Sequence, residues 1–135
     1  MTPETALLAV GGLHLGFQAV VAVVVYPALV STRTEDWDAV HADHSRRISY
    51  LVVPLYATVA GVCLWALLAG PITTWVVLAV AGHVVAAGVT AVSAAPTHGR
   101  LGRDGPSPRE LRRLVVADRV RLAGAVLAFA AALAL

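Results

Sequence analysis

The amino-acid sequence predicts an all-α integral membrane protein, a single domain over residues 1–135 folded as an antiparallel four-helix bundle. Apolar residues make up 59% of the chain, which is more than a soluble domain of this size needs for its core. They fall into four runs, each long enough to span a hydrocarbon core of ~30 Å at ~1.5 Å per residue. Most of the few charges are bunched between these runs, and the bunches set the expected spans.

The first two spans are predicted at about residues 5–27 and 48–69. The first is expected to end near Pro27, because proline disrupts a helix interior. Thr32-x-x-Glu35 has the spacing of a capping box and predicts a helix start ahead of the second span. Pro54 lies within that span, where neighbouring groups in a membrane bundle satisfy the carbonyl that proline leaves free, so a kink is expected.

The last two spans are predicted at about residues 72–95 and 114–135. Gly70-Pro71 is typical of a tight turn into the third span, which Pro96 is expected to close. Residues 97–108 are predicted to form a loop, and Ser107-Pro108-x-Glu110 marks the next helix start. No internal repeat is evident among the spans.

The arginines predict the orientation in the membrane. Both termini and the Gly70-Pro71 turn carry no arginine. The first and third connections together carry eight: Arg33, Arg46, Arg47, Arg100, Arg103, Arg109, Arg112 and Arg113. The positive-inside rule therefore places both arginine-bearing loops in the cytoplasm and both termini outside. Ten arginines without a lysine are typical of a GC-rich bacterial genome. We expect a multi-pass protein of the bacterial inner (plasma) membrane.

Three histidines at the cytoplasmic end form the first candidate site. His41 and His44 share one face of the helix entering the second span, and His98 follows the third span on the same side. The short turn makes these spans neighbours, so His44 and His98 are expected within ~10 Å of each other. Histidine is a ligand of iron, copper and zinc, and the three are predicted to bind a transition metal, iron or copper. Taken singly, each is more often a solvated surface histidine.

Three charged residues are the candidate catalytic groups near these histidines. Asp118 lies inside the fourth span, where a carboxylate needs a partner, and Arg121 one turn later or Arg47 is expected to supply it. Asp118 would orient a ligand or accept a proton. Arg47 and Arg121 would hold an anionic group of the substrate.

A second candidate site lies near the predicted bilayer midplane. His14 and Gln18 are four residues apart on the first span, and His83 lies about halfway along the third. Polar residues at such a depth usually face the bundle interior. The two histidines are either axial ligands of a haem or imidazoles hydrogen-bonded across helices with Gln18 as a partner. The second interpretation is favoured, because nothing nearby is shaped for a porphyrin.

Four short motifs carry a resemblance to a known family: Tyr26-Pro27, His41-x-x-His44-Ser45-Arg46-Arg47-Ile48, Pro96-x-His98-x-x-Leu101, and Asp118-Arg119-Val120-Arg121. Together they resemble small four-helix bacterial membrane proteins of the anthrone-oxygenase-like family. Asp118 and Val120 depart from the family's pattern, which has Asn followed by Trp-x-Arg. The resemblance implies oxidation of a small aromatic or polyketide-like molecule by dioxygen. The metal is predicted from the histidines alone.

Three functions follow from these features. The first is a membrane-embedded, oxygenase-like oxidoreductase that acts on a small aromatic or lipophilic substrate. The second is a non-enzymatic membrane subunit or small-molecule carrier, and the third a haem-binding electron carrier. The chain has no sequence motif of a hydrolase, a nucleoside triphosphatase or a zinc ribbon. A net charge of +2 does not favour nucleic-acid binding, and a homo-oligomer is left open.

Overall fold

Four long helices form the protein, and there is no strand. The computed structural model describes all 135 residues, and its helices are α1 (Pro3–Val30), α2 (Thr34–Ala69), α3 (Thr74–Asp104) and α4 (Pro108–Ala132). By length and composition, α1, α2 and α3 are each able to cross a membrane. The apolar stretch of α4 begins among Asp118, Arg119 and Arg121, and α4 is not one of these three. The all-helical fold is confirmed, and a fourth span stays a prediction.

Hydroxyl side chains begin three of the four helices. Thr2, Thr73 and Ser107 each accept a hydrogen bond from the backbone N–H three residues later, which satisfies a donor that the first helical turn leaves free. The helix α2 begins differently, with a 3-10 turn over Thr34–Asp36 and no side-chain cap. The predicted capping box does not form, because the Thr32 hydroxyl donates to the Ala28 carbonyl at the end of α1.

The helix ends predicted at Pro27 and Pro96 are wrong. Each proline lies inside a helix, two residues after the end of a five-residue π-helical turn over Val21–Val25 or Thr90–Ala94. In these turns, the residue before proline donates to the carbonyl five residues back. The wider turn lets the helix pass a residue that lacks an N–H. The predicted loop at 97–108 is therefore only residues 105–107, where Gly105 has a φ of 78°.

The helices α1 and α3 share an outline that the sequence prediction missed. His14 and His83 are 69 positions apart, and so are Pro27 and Pro96. In both helices, a buried histidine is followed by a π-helical turn and then by the proline. This shared outline concerns only the histidine, the π-helical turn and the proline, and the expectation of no internal repeat stays a prediction. A matched histidine and a matched proline within otherwise apolar sequence leave no repeating pattern in the hydropathy.

The bundle has two distinct ends. Residues from the N-terminus, from the turn after α2 and from the C-terminus line one cavity, so they lie together. The connections beside the arginine-rich segments lie at the opposite end, where Trp37 donates a 3.0 Å hydrogen bond to the Leu101 carbonyl. The helix α1 packs against α2 and α4, and α3 packs most closely against α4. The termini and the turn after α2 thus lie at one end and the arginine-rich segments at the other, as the predicted orientation requires.

The interior consists of two apolar clusters with polar residues between them. One cluster includes Leu7, Val59 and Val76, and the other includes Trp37 and Leu114. The outer surface exposes many large apolar side chains, as expected where a bundle faces lipid. The polar layer inside, rather than the surface, therefore holds the candidate sites.

Candidate functional site

The midplane histidines point inward and contact each other. His14 and His83 are buried, and their Nδ1 atoms are 2.9 Å apart, at hydrogen-bond distance. Their rings stack with centroids 5.1 Å apart. An iron atom held by both Nδ1 atoms would separate these two nitrogens by about 4 Å, at ~2 Å per bond. The geometry thus matches imidazoles hydrogen-bonded across helices, and the inward orientation predicted for them and for buried Gln18 is confirmed.

Gln18 has a different partner from the one expected. Its amide donates to the Tyr56 hydroxyl over 3.4 Å, and that hydroxyl is 2.9 Å from Oγ1 of Thr90. The ring of Tyr56 also meets His14 edge-on at 5.3 Å. Tyr56 thus joins α1, α2 and α3. It was not among the predicted site residues, and its only signal in the sequence is a hydroxyl-bearing ring in the middle of a span.

The three predicted metal-site histidines come together around His98. Nε2 of His41 lies 3.2 Å from Nδ1 of His98, and the rings of His44 and His98 have centroids 5.5 Å apart. The predicted closeness of His44 and His98 is confirmed. Since α3 continues as a helix past Pro96, His98 lies on α3 and faces α2. Trp37 stacks on the far side of His41 at 5.0 Å and buries it.

The donor atoms of these histidines do not converge on one point. No group of three or more His, Cys, Asp or Glu side chains is arranged to hold a metal ion. The facing nitrogens of His41 and His98 are directed at each other, and Nε2 of His98 lies 3.4 Å from the Tyr26 hydroxyl. A metal would require the rings to turn. The metal site at His41, His44 and His98 therefore stays a prediction.

Asp118 and Arg121 form a buried ion pair. Nη2 of Arg121 donates to Oδ1 of Asp118 over 2.8 Å, and their side chains are 6% and 5% exposed. The same Nη2 donates to the Tyr26 hydroxyl over 3.0 Å. Through Tyr26, this pair reaches His98 and then His41, so a chain of polar contacts crosses all four helices. The predicted pairing of Asp118 with Arg121 is confirmed, whereas Tyr26 was not among the predicted site residues.

Arg47 lies away from this network, and its role in holding a substrate stays a prediction. Its Nε is 2.7 Å from Oδ2 of Asp43, and its side chain is 75% exposed. The physical reason is the helical period. Ser45, Ile48 and Ser49 of α2 face the interior cavity, which places Arg47 on the outer surface.

A cavity of about 260 Å³ lies against the network. One part of its wall is apolar, including Phe17, Val21, Ile48 and Val52, and another is polar, including Tyr26, His44, Ser45, Ser49, Thr90, His98 and Arg121. The π-helical turns of α1 and α3 contribute Val21, Thr90 and Ala94, as is frequent at functional sites. The structure thus adds a ligand-sized space that the sequence did not reveal.

Three residues of the cavity wall have buried polar atoms without a hydrogen-bond partner. They are Nε2 of His44, Oγ of Ser45 and Nε of Arg121. Buried polar atoms are nearly always paired, and the three residues that carry these unpaired atoms all line one cavity. His98 and Ser45 also line a groove at the arginine-bearing end, with Asp38 and His41. These two residues therefore separate the cavity from that groove.

Fold and site together define a helical protein with spans of membrane length and a buried polar network around a small cavity. Comparison with models of known protein families, with curated proteins and with solved structures finds no match to this chain. The resemblance to the anthrone-oxygenase-like family thus stays an expectation drawn from the motifs.

Proposed function

We propose that the protein is a membrane-embedded oxidoreductase that binds a small lipophilic aromatic molecule in the cavity and oxidises it with dioxygen. The observation that carries the proposal is the cavity of about 260 Å³, whose lining includes His44, Ser45 and Arg121, three residues that each have a buried polar atom without a partner. Ligand sites are typically apolar pockets of ~300–1,000 Å³ with a few placed polar groups. At about 260 Å³, this cavity is slightly smaller than that range, which favours a small substrate.

The two parts of the cavity wall suit two parts of such a substrate. Phe17, Val21 and Val52 offer an apolar surface to an aromatic ring system. Nε of Arg121 has no partner within the protein, and it is available to donate to a substrate carbonyl or phenolate oxygen. The ion pair with Asp118 at 2.8 Å holds the guanidinium in place. A substrate with one oxygen substituent on an apolar ring system satisfies both surfaces.

The chemistry needs a base for a carbon acid and a donor for the resulting oxyanion. His44 lines the cavity, and its Nε2, which has no partner within the protein, would take a proton from a ring methylene beside a carbonyl after a small turn of the ring. Arg121 stabilises the enolate oxygen. The enolate carbon gives up electrons to dioxygen and forms a bond to one oxygen atom. The second oxygen leaves with both methylene hydrogens as water, so CH₂ plus O₂ becomes C=O plus H₂O.

Two variants on neighbouring residues of α2 test the proposal. Val52 lines the cavity, whereas Val53 is 67% exposed on the outer surface. Protein purified in detergent is mixed with anthrone as the probe, and oxygen uptake is followed with an electrode. We expect uptake well above that of buffer alone, an at least ~10-fold loss in Val52→Trp because the indole fills the cavity, and little change in Val53→Trp. Equal rates for the two variants, or no uptake above buffer, would overturn the proposal.

A non-enzymatic carrier or membrane subunit is the second candidate. One observation favours it: most polar groups of the site contact each other, as His41 does His98 and Arg121 does both Asp118 and Tyr26. Such contacts also hold a bundle together. Anthrone binding that Val52→Trp abolishes, without oxygen uptake, would select this function.

The absorption spectrum and metal content of the same preparation test the cofactor predictions. A Soret band would support haem at His14 and His83. Stoichiometric iron or copper that His98→Ala removes would support the metal site. In either case, Val53→Trp serves as the control for an intact bundle.

A further inference from the structure

The arginines of the chain differ in whether they have an acidic partner. Six of the ten form a salt bridge with a carboxylate: Arg33, Arg46, Arg47, Arg100, Arg113 and Arg121. The other four are Arg103, Arg109, Arg112 and Arg119. Three of these four lie on the N-terminal half of α4. This half of the helix thus carries positive charge that the protein itself does not neutralise.

The three arginines share one face of α4 with valines. The positions of Arg109, Arg112, Val116 and Arg119 are three or four residues apart, so they follow one side of the helix. All four side chains are exposed, as is that of Val120 in the next position. Positive and apolar groups therefore alternate along one surface, here called the arginine–valine face.

Two open grooves flank the arginine–valine face. One runs between α3 and α4, about 670 Å³ in volume, with Val89 and Val120 in its wall. The other lies between α1 and α4, about 580 Å³, with Val30 and Val115 in its wall. Both include Arg112, which therefore stands between two apolar channels. A ligand here meets positive charge at its centre and apolar surface on either side.

We infer that the arginine–valine face binds an anionic phospholipid, with its phosphate at Arg109 and Arg112 and its acyl chains in the two grooves. Arginine matches phosphate geometrically, through two parallel N–H donors. The face lies at the arginine-bearing end, expected at the cytoplasmic leaflet, where anionic lipids concentrate and basic pockets between helices bind their head groups. The apolar grooves favour a lipid over a soluble anion. The inference does not depend on the proposed oxidation.

Binding of matched lipids to the whole protein in detergent tests the inference. Phosphatidylglycerol and phosphatidylcholine with identical acyl chains are compared by native mass spectrometry. We expect tighter binding of phosphatidylglycerol. Arg112→Gln should weaken that binding about fivefold, since one arginine near a membrane surface contributes about 1 kcal/mol. Arg46→Gln is the control, because Arg46 is exposed and already paired with Asp43.

Three outcomes would overturn the inference. Equal binding of the two lipids would show that the negative charge of the head group does not contribute to affinity. An unchanged affinity in Arg112→Gln would show that the lipid binds elsewhere. Inorganic phosphate that displaces phosphatidylglycerol at concentrations similar to those of the lipid would show a simple anion site. Loss of affinity in Arg112→Gln and Arg109→Gln but not in Arg46→Gln supports the assignment.

Discussion

Replacing Gly82 by alanine should separate the two most closely packed helices. A Cβ atom on Gly82 would lie 2.5 Å from the Gly124 carbonyl oxygen and 2.7 Å from the Ala128 backbone nitrogen. Both atoms belong to the backbone of α4, so no side chain can rotate away. Carbon atoms in contact are normally ~3.5–4.0 Å apart, and α3 and α4 would have to move apart by roughly 1 Å.

The expected cost follows from overpacking. Adding a methyl group to a well-packed core typically costs about 1–3 kcal/mol, and a rigid backbone neighbour favours the upper end. Replacing a glycine inside a helix by alanine by itself stabilises the helix by about 0.5–1 kcal/mol. We therefore expect Gly82→Ala to lower the free energy of unfolding by about 2 kcal/mol. Gly88→Ala, on the same helix with nothing within 4 Å of the added Cβ, should be neutral or slightly stabilising.

Unfolding in a detergent mixture, followed by circular dichroism, measures both variants against the unmodified protein. The comparison of two alanine substitutions on α3 cancels the change in helix propensity. If Gly82→Ala and Gly88→Ala unfold at the same denaturant concentration, the close approach of α3 and α4 at this glycine is wrong.

Three further predictions follow. Asp118→Ala leaves Arg121 buried without its 2.8 Å partner, and it should cost about 3–5 kcal/mol of unfolding free energy; stability equal to that of the unmodified protein would refute this. The 2.8 Å hydrogen bond from Arg100 lowers the pKa of Glu110, and a lowered carboxyl pKa contributes stability that is present above the unfolded-state value and lost as pH falls through the folded-state value. The melting temperature should thus fall at acid pH, and Glu110→Gln should flatten that fall; parallel curves would argue against it. A reporter fused to the C-terminus should work only outside the cytoplasm, and cytoplasmic activity would reverse the orientation.

The helix ends show where local rules stop being sufficient. Pro27 and Pro96 are residues that normally end helices, and the prediction followed that rule. In the structure, a π-helical turn before each proline keeps the helix continuous. Neighbouring helices decide between these outcomes, because packing of residues beyond the proline, such as Leu29 and Leu101, compensates for the lost hydrogen bond.

The candidate site was predictable in its members but only partly in its contacts. A histidine or carboxylate within an apolar run has to face the interior, and this rule located His14, His83, Asp118 and Arg121. It did not identify the partners. Tyr26 and Tyr56 contain apolar rings that suit lipid interfaces and interiors alike, so their burial depends on which helices they meet.

The sequence by itself determined the helical class, the approximate positions of the four helices and the segregation of arginines, because each follows from the order of residues along one dimension. The tertiary structure decided which polar groups meet. His98 contacts His41 rather than a shared ion, Arg47 turns outward, and a cavity opens beside Arg121. These outcomes depend on the rotation of each helix about its own axis. That rotation is set by packing between helices distant in sequence, as at Gly82 and Gly124, and no single segment encodes it.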